Sequence, residues 1–385
     1  NSAHIMPSIL IDYTQTPKDY PIQVGKIEST KNNKKHPITT SNYRFKGNGK
    51  NNNAPLLHQL YTFSPPQKKI QFTPSLKLAQ ALKQQVKVLK RRAGRDYKLD
   101  NLNVDNNQLL TVAEKLYHTI NNGEQDLSSF ELYKIKGNDD LGNVQFTSYY
   151  VPTIKASKIP NDTYKYPLYQ KPNSWPNDKK PSRKDIDQKG ALKNQGLEIA
   201  YTASPLHNYN IQVQGSGYIV YEDGSQELLS YGGNNGFSYQ SVGKQLVDAG
   251  FFMSHTKASS MPWLNKNVQK IQNILYKNPS YTFFKSTKAI PSGAAGVPLT
   301  AEYSIAVDPN YIPIGSCLLA LVPVLNTNKH LSHHEFRILV AQDKGAAIKG
   351  PGHVDLYNGI GTNGEAKANS VHHYGNLWLL LPKES

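Results

Sequence analysis

The C-terminal quarter of the chain contains four short apolar runs, and their close spacing limits the folds that are available. The runs are YSIAV (303–307), CLLALVPV (317–324), FRILVAQ (336–342) and NLWLLL (376–381). Each has the length of a buried β-strand, and no segment of helical periodicity separates them. Successive parallel strands need a long crossover, usually a helix, so the pattern favours a compact β-barrel over a parallel α/β sheet.

Helical periodicity occurs in a few segments outside these runs. Apolar residues that recur every three or four positions predict amphipathic helices at 75–93 and 106–121. Cap and stop residues predict two further helices at 241–250 and 262–278. The fold class is therefore mainly β with some helices.

The remaining segments differ in residue composition and periodicity. Residues 144–290 mix apolar and aromatic residues with Gly, Pro, Asn and Asp, which predicts strands and turns, for example in IQVQGSGYIVYEDGS (211–225). Residues 7–73 are rich in Asn, Lys, Pro and Gly and lack periodicity, so they predict extended segments and loops.

The composition indicates a folded protein. The 385 residues, of which 38% are hydrophobic, can bury a substantial core and are expected to form two domains. No run of about eighteen apolar residues exists, which excludes a membrane-spanning helix. Residues 1–6, NSAHIM, are typical of an expression-tag remnant. The single cysteine, Cys317, excludes a disulfide framework and a thiolate metal site, and it predicts a buried structural thiol.

The positive charge is concentrated near the N-terminus. The formal net charge is +16, and residues 1–100 contain 18 Lys and Arg against 5 Asp and Glu. The basic segment 83–95 overlaps an apolar stripe of helical spacing, so we interpret it as one face of an amphipathic helix and expect no nucleic-acid partner. Attraction of this face to an acidic wall polymer or to lipid head groups stays open.

Two aspartates lie in a segment of small residues, AQDKGAAIKGPGHVDLYNG (341–359). Asp343 comes where an apolar run ends, and Asp355 follows a Gly-rich turn. Small residues let a bulky ligand approach the backbone, and carboxylates at strand ends are held rigidly, so both can face one cleft. The structural alternative is that Asp343 begins an Asp-x-Gly turn and Asp355 caps a loop.

Histidines give a weaker signal. His333 and His334, His372 and His373, and His353 do not have the spacing of known metal sites. We therefore expect neither a metal nor another cofactor.

A series of motifs from 145 to 380 resembles, in order, the membrane-bound lytic transglycosylase A family of bacterial peptidoglycan-cleaving enzymes. The motifs are QFTSYYVP (145–152), YKYPLYQKP (164–172), KPSRKDI (180–186), VQGSGYI (213–219), SYGGNNG (230–236), YQSVGKQLVDAG (239–250), KNPSYTFFK (277–285), GVPLTAEYSIAVDPNYIPIG (296–315), AQDKGAAIKG (341–350), HVDLYNGIG (353–361) and HHYGNLWLL (372–380).

The resemblance implies the domain organisation. A double-psi β-barrel catalytic domain is expected at 7–152 and 291–385, together with the N-terminal helices. A second, substrate-binding β-barrel at 153–290 is inserted into it, and a substrate groove lies between the two.

The resemblance also implies the site. The aspartate of the family's DxYxG element is the catalytic acid, which is Asp355 here, while Asp343 and Asp308 complete the three aspartates after which the catalytic region is named. The expected substrate-binding residues are Thr147, Tyr149, Gln214, Gly215, Ser216, Lys349 and Tyr357.

The implied reaction cleaves the β-1,4 bond between N-acetylmuramic acid and N-acetylglucosamine and closes a 1,6-anhydro ring on the muramoyl residue. One aspartate acts first as acid and then as base, so it must start protonated. Desolvation and repulsion from Asp343 and Asp308 would raise its pKa. Two alternatives are a noncatalytic peptidoglycan-binding protein and a hydrolytic glycosidase with two carboxylates.

The expected partners and location follow from the same resemblance. We expect a monomer that binds peptidoglycan glycan strands, with partners in the wall machinery left open. The family implies a periplasmic outer-membrane lipoprotein, and contact with the membrane would require a lipid anchor that this sequence does not contain.

Overall fold

The chain divides into two structural units. The first contains Asn1–Tyr149, Ser292–Gly359 and Lys367–Ser385, and the second contains Tyr150–Pro291 and Ile360–Ala366. The computed structural model describes residues 10–12, 61–62, 75–99, 102–122, 127–135, 137, 142–251, 261–287, 290–326, 331–345, 347–361 and 372–383. Most of the prediction for 7–73 lies outside the described residues.

Strands make up most of the regular structure. In chain order they are β1 (Leu10–Asp12), β2 (Tyr61–Thr62), β3 (Asp96–Leu99), β4 (Leu102–Asp105), β5 (Phe130–Lys134), β6 (Val144–Val151), β7 (Thr153–Ser157), β8 (Tyr166–Tyr169), β9 (Glu198–Thr202), β10 (Gly217–Val220), β11 (Gln226–Asn234), β12 (Thr282–Thr287), β13 (Ser304–Ala306), β14 (Cys317–Leu325), β15 (Leu331–Asp343), β16 (His353–Ile360) and β17 (His372–Pro382).

Helices accompany both units. They are α1 (Leu76–Arg91), α2 (Asn106–Asn121), α3 (Arg183–Asp187), α4 (Pro205–Gln214), α5 (Gly243–Asp248), α6 (Met261–Lys266) and α7 (Val268–Leu275), with a short 3₁₀ helix at Pro176–Asp178. None of the helices in the described part of the chain is long and apolar enough to cross a membrane.

Six strands of the first unit pair in a closed ring among the described residues. The order is β15, β13, β16, β6, β17 and β14, which returns to β15; β1, β5 and β2 extend the sheet outside the ring. The four apolar runs supply β13, β14, β15 and β17, as predicted, and their side chains form the main core. Within the ring, β16 is a strand that the sequence did not predict. The interpretation of Asp355 as a loop cap is wrong, because it lies inside this strand.

Helix α1 is attached to the ring by its apolar face. Leu78, Leu82 and Leu89 are fully buried, whereas Lys83 and Lys87 on the other side are exposed. This confirms the amphipathic interpretation of the basic segment. A buried amide adds a polar connection, since Gln85 Nε2 donates to the carbonyls of Ser316 at 2.8 Å and Ala341 at 3.2 Å. Attraction of the basic face to an acidic polymer stays a prediction.

The second unit contains a six-stranded sheet in the order β12, β11, β10, β7, β9 and β8. Here the strand prediction for residues 211–214 is wrong, because they form the last turn of α4. Ser204 Oγ accepts the N–H of Leu206 at the start of α4, Pro205 occupies the first helical position, and Gly215 ends the helix with φ 88°. These strong start and stop signals prevail over the alternating pattern of IQVQ.

The single helix predicted at 262–278 is also wrong, because two helices, α6 and α7, occupy this segment. Asn267 separates them with φ −113° and ψ 13°, and its side-chain nitrogen donates to the carbonyl of Trp263 at 2.8 Å. The asparagine side chain takes an acceptor that the helix backbone would otherwise use. The helix predicted at 241–250 is confirmed in a shorter form as α5.

Cys317 lies at the start of β14, where 1% of its surface is exposed. Burial raises the pKa of its thiol to about 12. The prediction of a buried structural thiol is confirmed.

The strands of the ring pack closely around Gly375 in β17, and a substitution there can test this packing. A Cβ atom there would lie 2.1 Å from the carbonyl oxygen of Leu321 and 2.7 Å from the ring of Phe146. We predict that Gly375→Ala lowers the free energy of unfolding by about 1–3 kcal/mol, because the backbone carbonyl cannot move away without disturbing β14. Urea unfolding followed by circular dichroism measures this change.

Gly243→Ala is the matched control, because the nearest atom to its added Cβ would be Ser241 Oγ at 3.9 Å and it lies in a helix. It should be neutral or slightly stabilising. Equal stability of the two variants would show that the strands around Gly375 are not in close contact.

Candidate active site

The two aspartates of the small-residue segment flank the same position of strand β13. Ala306 is the register partner of Asp343 on β15 on one side and of Asp355 on β16 on the other. Direct register partners point to the same face of a sheet, and two strand spacings amount to about 10 Å between Cα atoms. The structure therefore brings Asp343 and Asp355 together on one face.

A β-bulge in β15 is required for this arrangement. Ile305 pairs with Ala341, but the next residue, Ala306, pairs with Asp343, so Gln342 is the extra residue. Gln342 is fully buried, and its Oε1 accepts a hydrogen bond from Ser304 Oγ at 2.7 Å. Bulges re-aim side chains next to functional sites, and this bulge sets Asp343 opposite Ala306.

Strand β6 supplies two hydroxyl groups to the same face. Thr147 Oγ1 donates to Asp355 Oδ1 at 2.9 Å, and Tyr149 OH donates to Asp343 Oδ2 at 2.9 Å. The ring of Tyr149 lies beside that of Tyr357, with centroids 5.4 Å apart. Alternation along the strand explains why Thr147 and Tyr149, two positions apart, share one face.

Asp343 is surrounded by donors. Besides Tyr149, the backbone N–H groups of Ala294 and Lys344 donate to its Oδ1 at 2.8 Å and 2.9 Å. The pKa of Asp343 is raised above its usual value, because burial outweighs these three hydrogen bonds and the Lys344 charge, which lower it. Three donors aimed at one carboxyl group stabilise its ionised form.

Asp355 has a different environment. Burial raises the pKa of Asp355 to about 7, the hydrogen bond from Thr147 lowers it, and the charge of Asp343 raises it again. Its side chain is only partly exposed. Close to neutral pH, a large fraction of Asp355 is therefore protonated.

Tyr149 remains a hydrogen-bond donor at and around neutral pH. Burial raises the pKa of Tyr149 well above its usual value, and the charges of Asp343 and Asp355 raise it further. Its phenol proton therefore stays available to Asp343.

Asp308 is close to this arrangement but has structural contacts. It is buried, with 5% of its surface exposed, and its carboxyl group accepts the backbone N–H groups of Asn310 at 3.1 Å and Gly350 at 2.9 Å. The second bond holds the Gly-rich segment that leads into β16. The expectation that Asp308 raises the pKa of Asp355 has no support, since burial and Asp343 are the causes that raise it.

The other predicted residues are more scattered. Lys349 is exposed on the Gly-rich segment. Gln214, Gly215 and Ser216 belong to the second unit. There, Gln214 Oε1 accepts the N–H of Tyr150 at 3.1 Å, and Gly215 is the left-handed residue that ends α4.

Sequence reasoning missed a site residue that the structure places beside Thr147. His353 Nε2 lies 2.7 Å from Thr147 Oγ1. The sequence draws attention to His353 only as a candidate metal ligand, although its position two residues before Asp355 indicates a shared face once a strand is assigned there. In the described part of the chain, no group of three His, Cys, Asp or Glu residues could hold a metal ion.

Comparisons with protein families identify both halves of this architecture. Residues 145–285 match the MltA specific insert domain, and residues 303–381 match the 3D domain. Membrane-bound lytic murein transglycosylase A of Escherichia coli K12 is 39% identical over 256 residues, which cover 65% of this chain and 69% of that protein. The protein of the same name from Vibrio cholerae is 36% identical over 253 residues, covering 64% of this chain and 68% of its own.

Solved structures agree with these matches. The crystal structure of E. coli MltA with bound chitohexaose aligns with a TM-score of 0.69 at 30% identity, over 90% of this chain and 99% of that one. The fold is also shared with a membrane-bound lytic murein transglycosylase from Agrobacterium tumefaciens, at a TM-score of 0.61 and 24% identity over 79% of this chain and 92% of that one. The resemblance seen in the motifs is confirmed: the chain belongs to the membrane-bound lytic murein transglycosylase A family of peptidoglycan-cleaving lyases.

Proposed function

We propose that this protein cleaves the β-1,4 bond between N-acetylmuramic acid and N-acetylglucosamine in peptidoglycan, with Asp355 as the single acid and base. The observation that carries the proposal is the position of Asp355, which lies opposite Ala306 on the same face of the sheet as Asp343 and accepts a hydrogen bond from Thr147. Burial, together with the neighbouring charge of Asp343, raises the pKa of Asp355 to about 7. A general acid is most effective when its pKa is close to the working pH. Ionised Asp343, held by three donors, keeps its neighbour neutral.

The Asp355 carboxyl group takes part in two proton transfers, first as donor and then as acceptor. Neutral Asp355 protonates the glycosidic oxygen while the bond from that oxygen to C1 of the muramoyl residue breaks. The 6-hydroxyl of the same sugar then attacks C1, and the Asp355 carboxylate accepts its proton as the 1,6-anhydro ring closes. Asp355 is protonated again at the end, so no water is consumed and no second catalytic carboxylate is needed.

The hydrogen bonds of Asp343 argue against the hydrolytic alternative. An inverting glycosidase places a general base several ångströms from the acid to activate water. Asp343 lies on the same face of the sheet as Asp355, but Ala294, Lys344 and Tyr149 already donate to its two oxygens. These donors occupy both oxygens of Asp343, which leaves fewer lone pairs to bind and activate a water molecule.

We propose that the predicted substrate-binding residues contact the glycan strand. E. coli MltA was crystallised with chitohexaose, a chain of sugars, and the rings of Tyr149 and Tyr357 offer faces on which a sugar could stack. We assign Thr147, Gln214, Gly215, Ser216 and Lys349 to polar glycan contacts. Double-psi connectivity in the first unit, a barrel form of the second, a periplasmic lipoprotein location and a monomeric state stay predictions.

Asp355→Asn tests the acid directly. We expect at least about a 100-fold loss of turnover on purified sacculi, because an amide of the same shape cannot transfer the proton. Mass spectrometry of the products should show 1,6-anhydromuramoyl ends with the wild type and hardly any with the variant.

Asp96→Asn is the matched control, since Asp96 is exposed on β3, and it should retain wild-type activity. Reducing muramic ends from the wild type would establish hydrolysis instead, and release of no fragments would establish a binding protein.

The raised pKa of Asp355 also predicts a pH-dependent stability. The folded pKa is about 7, whereas an unfolded aspartate titrates near 3.9, so ionisation of Asp355 destabilises the folded state as pH rises between these values. Asp355→Asn removes that cost. Urea unfolding should show the variant to be more stable than the wild type by about 1–3 kcal/mol at pH 8, and equally stable at pH 3.5. An unchanged difference at both pH values would contradict the raised pKa.

Asp343→Asn tests the charge that acts on Asp355. Removing the negative charge lowers the pKa of Asp355, so the alkaline limb of the pH profile of kcat should move to lower pH by about 0.5–1 unit. Tyr149→Phe is the comparison, because it removes one hydrogen bond of Asp343 and keeps the charge. The alkaline limb of the Tyr149→Phe profile should move much less. Equal shifts in the two variants would exclude the Asp343 charge as the cause.

A further inference from the structure

His353 lies next to the acid of the proposed reaction, and the mechanism gives it no role. It stands two residues before Asp355 on β16, so both side chains leave the strand on the same face. Its Nε2 lies 2.7 Å from Thr147 Oγ1, and that hydroxyl lies 2.9 Å from Asp355 Oδ1. Thr147 therefore bridges the imidazole and one oxygen of the carboxyl group.

A threonine hydroxyl has a single proton. Its third neighbour, the carbonyl of Val354, is more distant at 3.4 Å than the imidazole and Oδ1, so two arrangements of the bridge are considered. If Nε2 of His353 carries a hydrogen, it donates to Thr147, and Thr147 donates to Asp355 Oδ1. If Nε2 carries none, Thr147 donates to the imidazole. Oδ1 of Asp355 is then satisfied only when it carries a proton and donates that proton to Thr147.

The two arrangements place the proton of neutral Asp355 on different oxygens. In the first, Oδ1 is an acceptor and the proton lies on Oδ2, which has no hydrogen bond within the part of the chain that the structure describes. In the second, the proton lies on Oδ1 and points at Thr147, where it cannot reach a glycosidic oxygen. Only the first arrangement presents the proton to a substrate.

We propose that His353 is a positioning residue that acts through Thr147 to keep the catalytic proton on Oδ2 of Asp355. The proposal rests on the function proposed above, since it requires Asp355 as the acid. Among the described side chains, Asp343 and Tyr149 are titratable groups that interact with Asp355, and the Tyr149 hydroxyl donates to Asp343. The contact at Oδ1 is therefore controlled by Thr147 and His353.

The test reverses the hydrogen-bonding role of residue 353 at nearly constant size. In His353→Gln the side-chain amide can still donate to Thr147, so kcat should stay within about five-fold of the wild type. In His353→Glu an ionised carboxylate can only accept, so kcat at pH 7 should fall at least about 50-fold while KM changes by less than about two-fold. Activity of His353→Glu should partly recover toward pH 5, where a protonated Glu donates again.

The pH profile separates positioning from a simple charge effect. A negative charge at 353 that acted only through space would raise the pKa of Asp355 and extend activity to higher pH without lowering kcat at pH 6. That result, or equal kcat values for the Gln and Glu variants, would overturn the positioning role. Thermal unfolding of each variant confirms that the fold is retained.

A measurement on the native protein does not depend on the variants. Nitrogen-15 NMR of histidine-labelled protein, with the His353 signal assigned by comparison with His353→Gln, should show a hydrogen on Nε2 at pH 7. A neutral ring with its hydrogen on Nδ1 would overturn the proposal. Asp355→Asn, assayed alongside, separates the two hypotheses: its activity would overturn the proposed function, whereas an inactive Asp355→Asn beside a fully active His353→Glu would overturn only the positioning role.

Discussion

The pairing of strand β13 with two other strands determines the geometry of the site. The strand is three residues long, and its last residue, Ala306, has Asp343 as its partner on one side and Asp355 on the other. The two carboxyl groups are thus held by the same backbone that closes the ring. The bulge at Gln342 completes the arrangement, because a regular ladder would set that residue, and not Asp343, opposite Ala306.

This geometry gives two chemically identical side chains different environments. Asp343 receives three hydrogen bonds, which favour its ionised form, while Asp355 receives one from Thr147. The burial of Asp355 and, to a smaller extent, the charge on Asp343 then raise the pKa of Asp355. Environments that separate the pKa values of neighbouring carboxyl groups are a common route to acid–base catalysis near neutral pH. In this site, Thr147 donates to one oxygen of Asp355, His353 lies beside the Thr147 hydroxyl, and Asp308 accepts an N–H from the segment that leads into β16.

The sequence predicted those parts of the structure that depend on local patterns. The apolar runs became β13, β14, β15 and β17 because continuous buried strands carry a strong signal, and the motifs located Asp343 and Asp355 through the family resemblance. The bulge at Gln342 could not be predicted, since it is a property of pairing between distant segments. Strand β16 was missed because His353, Asp355 and Asn358 interrupt its apolar pattern. The break at Asn267 depends on one side-chain hydrogen bond, which periodicity does not reveal.

The central claim is that Asp355 keeps its proton up to about neutral pH, whereas Asp343 loses its proton at a lower pH. Carbon-13 NMR of protein labelled at the aspartate carboxyl carbons measures this directly, with the signals of Asp343 and Asp355 assigned from their Asn variants. The account predicts that the Asp355 carboxyl group titrates with an apparent pKa of about 7 and that Asp343 titrates at lower pH. A carboxyl group at 355 that titrates near pH 4, like an exposed aspartate, would contradict the account.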